Sequence, residues 1–402
     1  MLKDWRQTPT TRRLLVRGPQ ASSHLEFLVE LCATLCQRGM PLYQVNQYTP
    51  TLHPLMQGVE CIWHRDDRAP EEVQLHWRSG EDPYAWQANP LRRIMLGIDE
   101  LRIDLTQPEP GFAAPVLERL RADGARECLV MAVPLADGRR NAISWATDAP
   151  RGFSLKQRNE LRNLAGPLGL VLDLLEWRRT ARTLLDTYLG RGPGREVLNG
   201  AIRRGDRREL EAVILFADLR DFTAKAASWS VEQLLAALDA YYQALVDAIT
   251  VAGGEVLKFM GDGLLAVFPI GAPGALAPTC QRALAAAVAA RNALAVANRA
   301  RLAAGAAALD FGVALDVGRV VYGNIGGQGR LDFTVIGPAV NLVSRIEALC
   351  KILGQPLLAT AALGRHVGGE LVPIGAHPIR GLAEPIELFA LPAAVAPARR
   401  SA

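Results

Sequence analysis

Four stretches of this chain carry polar side chains that packing alone does not explain. In ILFADLRDFT, Asp218 closes an apolar run where a short helix is expected to begin. In EVLKFMGDGLLAVF, Lys258 interrupts an apolar segment and Asp262 stands between Gly261 and Gly263. RLDFTVI contains Thr334, and PAVNLVSRI contains Asn341 and Arg345. Two carboxylates at strand ends can hold a hard divalent ion such as Mg²⁺ through oxygen ligands. The helix start after Asp218 offers backbone N–H groups from about Arg220 through Phe222 to Thr223 as a seat for phosphates. Asn341 and Arg345, spaced i, i+4, share one helix face and can reach one ligand together. Carboxylates, a metal and a helix start point to a polyphosphate substrate. Plainer readings stand beside these: Asp262 as a turn former, Lys258 as a solvent-facing strand lysine, Asn341 and Arg345 as a solvated helix face, and Thr334 as a β-former.

The elements that must position these residues follow from the flanking patterns. EAVILFADL reads as a buried strand; a helix opens at Ser230 with Gln233 three residues on and closes at Gly253-Gly254. The hairpin around Asp262 follows, with both glycines expected to take positive φ. An Ala-rich helix over about 279–304, a strand pair around ALDVGRVVYG, the RLDFTVI strand, a helix from Pro338 to Leu353, and a final strand, helix and hairpin complete this half. Mixed strands and helices in this order predict an α+β fold whose mostly antiparallel sheet is covered by helices. In the first half, residues 1–20 read as a flexible tail, and Ser23 with Glu26 forms a capping-box pattern opening a helix to about Cys36. ECLVMAVPL and RNAISWATD flank Ala-Asp-Gly-Arg as a hairpin. Ser154 with Gln157 opens a long helix in which Gly166-Pro167 predicts a kink. The Gly/Arg-rich stretch GRGPGREVLNGAIRRGD reads as a connector, putting a domain boundary near residue 207.

Composition bounds the answer. The chain has 402 residues, half of them apolar, enough for two domains. Its net charge of +4 is spread through mixed segments, so no nucleic-acid partner is implied. Six scattered cysteines form no metal spacing; CIWH, with Cys61 and His64, reads as core. The N-terminus lacks the apolar core of a signal peptide, and the Ala-rich stretch is broken by arginines, which predicts no membrane insertion and a cytoplasmic protein.

FADLRDFT, KFMGDG, VVYGNIG and DFTVIGPAVNLVSRIEAL occur in the order and at the spacings of the class III nucleotidyl cyclase catalytic domain, which residues 208–392 resemble. The resemblance implies a ferredoxin-like βαββαβ core. It implies that Asp218 and Asp262 hold two metal ions, Mg²⁺ or Mn²⁺. Attack of the ribose 3′-hydroxyl on the α-phosphorus then gives a 3′,5′-cyclic nucleotide and pyrophosphate. Lys258 and Thr334 match the pair that reads the base, Asn341 the ribose-orienting residue and Arg345 the arginine that stabilises the transition state. Arg380 matches a residue on the terminal phosphates. The metal aspartates and the remaining groups come from opposite partners of a head-to-tail pair, so a homodimer is implied. Two positions depart from the pattern: Asp221 where Gly is usual, and Pro338 where Asp is frequent.

Hydrogen bonding adds a preference for ATP. Adenine presents an acceptor at N1 and a donor at its amino group, which a lysine donor at 258 and a threonine acceptor at 334 complement. Guanine reverses both, although Lys258 can still donate to its O6. The alternatives are a guanylyl or relaxed-specificity cyclase, and a module that only binds nucleotide. Threonine at 334 is similar to the subgroup that responds to bicarbonate. Residues 21–175 look like a GAF-type sensory domain that takes a small-molecule or protein input. The Leu-rich helix over 154–189 is expected to pair with its copy, residues 176–207 form the helical linker, and 393–402 read as a tail.

Overall fold

The computed structural model describes residues 8–52, 56–66, 68–76, 90–107, 115–327 and 329–392. It divides into two compact units, Met1–Leu184 and Leu185–Ala402, so the division falls inside the expected linker and not at its end. Residues 1–7 and the expected tail 393–402 lie outside the described residues.

The first unit is an antiparallel sheet of β1 (Gln44–Pro50), β2 (Met56–His64), β3 (Glu71–His76), β4 (Glu100–Asp104), β5 (Glu127–Pro134) and β6 (Arg140–Thr147), in the order β3-β2-β1-β6-β5-β4. Side chains alternate across the sheet, and both faces are covered. Val45, Val59, Cys61, Leu129 and Trp145 pack with residues of the helices His24–Gln37 and Leu155–Leu189. Tyr48, Ile103, Cys128 and Val130 pack with Pro90–Met95 and Pro115–Ala122. Cys61 and His64, three apart on β2, therefore point to opposite faces and cannot share a ligand.

One local expectation is corrected here. The tail over 1–20 does not hold for its described part: Pro9–Arg17 is a helix whose N-cap, Thr8, accepts the Thr11 N–H at 3.1 Å. The Thr-Pro start, with Pro at the first position, outweighs the polar composition. Pro167 lies inside the long helix, which runs from Leu155 to Leu189.

The second unit is an eight-stranded sheet. Its strands are β7 (Arg207–Leu219), β8 (Glu255–Met260), β9 (Gly263–Pro269), β10 (Phe311–Gly327), β11 (Arg330–Ile336), β12 (Leu357–Thr360), β13 (Val372–His377) and β14 (Ile386–Ala390). The order is β13-β14-β12-β10-β7-β9-β8, with β11 added to β10. Only β10 and β12 pair in parallel. The path β7, helix Val231–Val251, β8, β9, helix Leu276–Ala303, β10 is a βαββαβ unit with the spatial order β10-β7-β9-β8. The expected strand pair around ALDVGRVVYG is one long strand, paired with β7 on one edge and, from Val321 onward, with β11 on the other.

From Ala212 to Leu219 β7 is apolar except for Asp218, because both its faces are buried there. Val213, Leu215 and Ala217 pack with Tyr241, Leu245, Ala283 and Ala287 of the two long helices, whereas Ile214 packs with Val343, Ile346 and Cys350 of the helix Pro338–Ile352. Truncating Leu215 to Ala is expected to cost about 2–5 kcal/mol. Val231–Val251 opens with a complete capping box between Ser230 and Gln233. It is the one described helix long and apolar enough to cross a bilayer, and its residues Ala237, Tyr241, Leu245 and Ile249 are buried in this core.

Candidate active site

The β7–β9 register sets Asp218 opposite Gly263, the residue after Asp262. Of the two turn glycines only Gly261 takes positive φ, +67°. Gly263 already belongs to the strand and is small for a different reason. A Cβ there would stand 3.3 Å from both the Phe216 ring and the Met260 carbonyl oxygen, and 3.5 Å from Asp218 Oδ1. The hairpin turn is held further by Tyr242, whose hydroxyl donates to the Gly261 carbonyl at 2.5 Å. Asp218 is half-buried, and burial followed by the charge of Asp262 pushes its carboxyl up to about 6, against the opposing pull of Arg220. A carboxyl raised by burial and by a neighbouring carboxylate is what a divalent cation relieves. No group of three or more His, Cys, Asp or Glu able to hold a metal occurs among the described residues. The oxygen donors of Asp218 and Asp262 fit Mg²⁺ or Mn²⁺, which keep waters and take phosphate oxygens alongside one or two carboxylates.

A third carboxylate lies beside this pair and escaped the sequence reading. Glu347 is only 7 % exposed, and burial, then the charges of Asp218 and Asp262, push it up to about 7. Its Oε1 rests on Gly312, where a Cβ would come within 2.2 Å of it and within 3.2 Å of Arg220 Nη2. A signal existed: Val343, Ile346, Glu347 and Cys350 form the buried stripe of one helix, where an acid is out of place.

The helix after Asp218 is a single turn, Phe222–Ala226, and the Arg220 N–H already donates to the Asp310 carbonyl at 2.7 Å. The expected phosphate seat is thus smaller than the sequence implied; Phe222 leans on the core and Thr223 is exposed. Asp221 does not turn toward the two aspartates but toward Lys351, whose Nζ lies 2.6 Å from Oδ1.

At the other end of the hairpin a β-bulge decides where Lys258 points. Pairing slips from Val256↔Ala266 to Lys258↔Leu265, leaving Leu257 as the extra residue. Bulges re-aim side chains, and Lys258 reaches β11, where its ammonium pairs closely with Asp332. Thr334 lies two residues farther along β11 and so on the same side as Asp332. Asn341 and Arg345 are exposed and line an open cleft with Gly337, Pro338, Leu342 and Leu382. Arg345 Nη1 donates to the Arg380 carbonyl at 2.8 Å, which ties the loop around Gly381 to it. One chain thus presents an aspartate cluster, a lysine–strand cluster and an arginine cleft. None of the hydrogen bonds or ion pairs among the described residues joins Asp218 or Asp262 to Lys258, Asn341 or Arg345.

Comparison with known proteins places this arrangement. The family described as the adenylate and guanylate cyclase catalytic domain matches residues 207–354. An uncharacterized protein of Mycobacterium bovis is 32% identical over 248 residues, which cover 58% of this chain and 41% of that protein. An adenylate cyclase of Anabaena cylindrica is 34% identical over 158 residues, covering 38% of this chain and 30% of the cyclase. Among solved structures, the guanylyl cyclase Cya2 is 31% identical, with a TM-score of 0.41, covering 47% of this chain and 94% of that one. The chain spans less than half the length of these two curated relatives.

Proposed function

We propose that this chain, whose residues 207–354 match the adenylate and guanylate cyclase catalytic domain, converts ATP to 3′,5′-cyclic AMP and pyrophosphate as a homodimer. The observation that carries the chemistry is the Asp218–Asp262 pair, both half-buried, in which burial and the charge of Asp262 raise the proton affinity of Asp218. These two would hold Mg²⁺ or Mn²⁺, which when bound lowers the barrier to ionising the ribose hydroxyl and neutralises phosphate charge. The reaction forms a bond from the 3′-oxygen to the α-phosphorus and breaks the one to the β-phosphate oxygen, the hydroxyl proton being released. Lys258 and Thr334 read the adenine edge, Asn341 orients the ribose, Arg345 stabilises the charge that develops on the transferred group, and Arg380 contacts the terminal phosphates. The separation of the aspartate cluster from the lysine and arginine groups within one chain supports a site shared between two copies.

The first unit is read as a GAF-like sensory domain that regulates this reaction. A dimer contact through which it could act is supported by the apolar seam on the helix Leu155–Leu189: Leu170, Leu174, Trp177 and Tyr188 are exposed, and with Ala181 and Leu184 they recur at alternating intervals of four and three. That is the spacing of a two-stranded coiled coil. The test is mass-spectrometric detection of product from the purified full chain given equimolar ATP and GTP with Mg²⁺ or Mn²⁺, beside an Asp262→Ala control. Cyclic AMP lost in the control is the expected result. Cyclic GMP instead would overturn the assignment of the base, and no product with either metal would favour a nucleotide-binding module.

A further inference from the structure

We propose that Asp332 is a further specificity-determining residue, and that the Lys258–Asp332 pair, not Lys258 alone, makes the site prefer adenine; this rests on the reading of Lys258 as a base contact. A lysine is a poor discriminator by itself. Its ammonium sits on a flexible four-carbon stem with three rotatable donors, so it can serve adenine N1 or swing to guanine O6. At N1 and C6 the two purine edges present donor and acceptor in opposite order, and a mobile donor accepts either order.

In this chain the ammonium is held by a carboxylate. The bulge at Leu257 delivers Lys258 to β11, and Asp332 takes one of its three donors. Asp332 and Thr334 alternate to the same side of β11, so a fixed donor, a carboxylate acceptor and a hydroxyl stand together. The pair is not a buried structural one, because its side chains are 41% and 45% exposed. Exposed ion pairs contribute little to folding, so removing Asp332 should leave the fold standing. Nor is Asp332 tied to another cation: Lys258 is its only salt-bridge partner among the described residues. Asp332 is a positioning residue in this scheme. It sets which way round donor and acceptor face the base, and without it Lys258 serves both purines.

The test is a double-mutant cycle on the full chain, reading kcat/KM for ATP and for GTP from cyclic product in single-nucleotide assays with Mn²⁺. Asp332→Ala is expected to lower the ATP-over-GTP ratio at least tenfold, chiefly through KM. Lys258→Ala with Asp332→Ala should be no worse than Lys258→Ala alone, because the partner of a missing lysine has nothing to orient. If Asp332→Ala keeps the ratio while Lys258→Ala changes it, this inference is wrong and the base assignment survives. If Lys258→Ala keeps the ratio, the base assignment itself fails, and this inference with it. Should Asp332→Ala be inactive with both nucleotides, calorimetric binding of α,β-methylene ATP and GTP to Asp332→Asn decides. Selective weakening of the ATP analogue supports the role, and equal weakening of both overturns it.

Discussion

Two buried carboxylates, one in each unit, show what separates structural charge from chemical charge. Glu127 on β5 is 3% exposed and fully engaged: Arg102 Nε donates to it at 3.0 Å, the Phe153 N–H at 3.2 Å, and Arg158 approaches to 3.7 Å. Asp218 on β7 is less buried yet worse served. No hydrogen bond to its carboxylate occurs among the described residues, its near neighbours include the carboxylates of Asp262 and Glu347, and Arg220 is the one cation that offsets them. A carboxylate surrounded by donors stabilises the fold, whereas one set against its own kind is left waiting for a cation.

The sharpest way to break this contrast is to remove each acid. Asp218→Asn or Asp262→Ala should lower cyclase activity by about 10³-fold or more with little change in thermal stability, because two-metal chemistry fails without either ligand. Glu127→Leu should do the reverse, losing about 3–5 kcal/mol of stability as in the breaking of other buried ion pairs. Activity per folded molecule should stay near normal. Melting curves and initial rates on the same preparations check both; an Asp218→Asn chain that keeps its activity would end the assignment.

Mixing inactive chains extends the contrast to the dimer. Asp262→Ala and Arg345→Ala should each be nearly inactive alone, and their mixture should recover up to one working site per heterodimer, roughly a quarter of wild-type activity after random exchange. Rates of the mixed and unmixed preparations at equal total protein check this; no recovery would sink the shared-site arrangement.

A smaller effect lies in the pH dependence of the metal-free protein. Asp218 and Glu347 are raised to about 6 and about 7 in the folded chain, above the ordinary carboxylate range of about 4 in the unfolded one. Between those limits the folded state binds more protons, so stability falls as pH rises through that window. Mn²⁺ competes with those protons and should raise the melting temperature more at pH 7.5 than at pH 5. In Asp218→Asn both trends should flatten, and thermal melts at the two pH values with and without Mn²⁺ check it.

The residues that were hardest to read from sequence are those whose meaning depends on contacts between distant strands. KFMGDG gave away its turn, because a Gly beside Asp is a local signal, and EAVILFADL gave away a strand buried on both faces. The direction of Lys258 was not legible, because it turns on a one-residue bulge whose register is set by pairing with Leu265. Asp332 gains its significance only when β11 meets that lysine, and Glu347 only when its helix lies over Gly312. The helix at Pro9 could have been read from its Thr-Pro start, and was obscured by the polar residues around it.

Asp221 carries the smallest expected effect and isolates backbone from side chain. It is the one non-glycine residue with positive φ among those described, at 58°. That is a conformation that glycine adopts at no steric cost. A left-handed residue with a Cβ costs roughly 1–2 kcal/mol, less for Asp, whose short polar side chain tolerates the region. Here the Lys351 contact offsets part of it, although both side chains are mostly exposed and the pair contributes at most about 1 kcal/mol. Asp221→Gly should therefore change stability by about 1 kcal/mol or less, with no loss of activity, since the carboxylate faces Lys351 and not the metal pair. Asp221→Ala keeps the strain and loses the contact, so it should be less stable than Asp221→Gly by about 1 kcal/mol. Equal melting temperatures for the two variants would mean that the turn relaxes out of the left-handed region, and a loss of activity in Asp221→Gly would move this acid into the metal site after all.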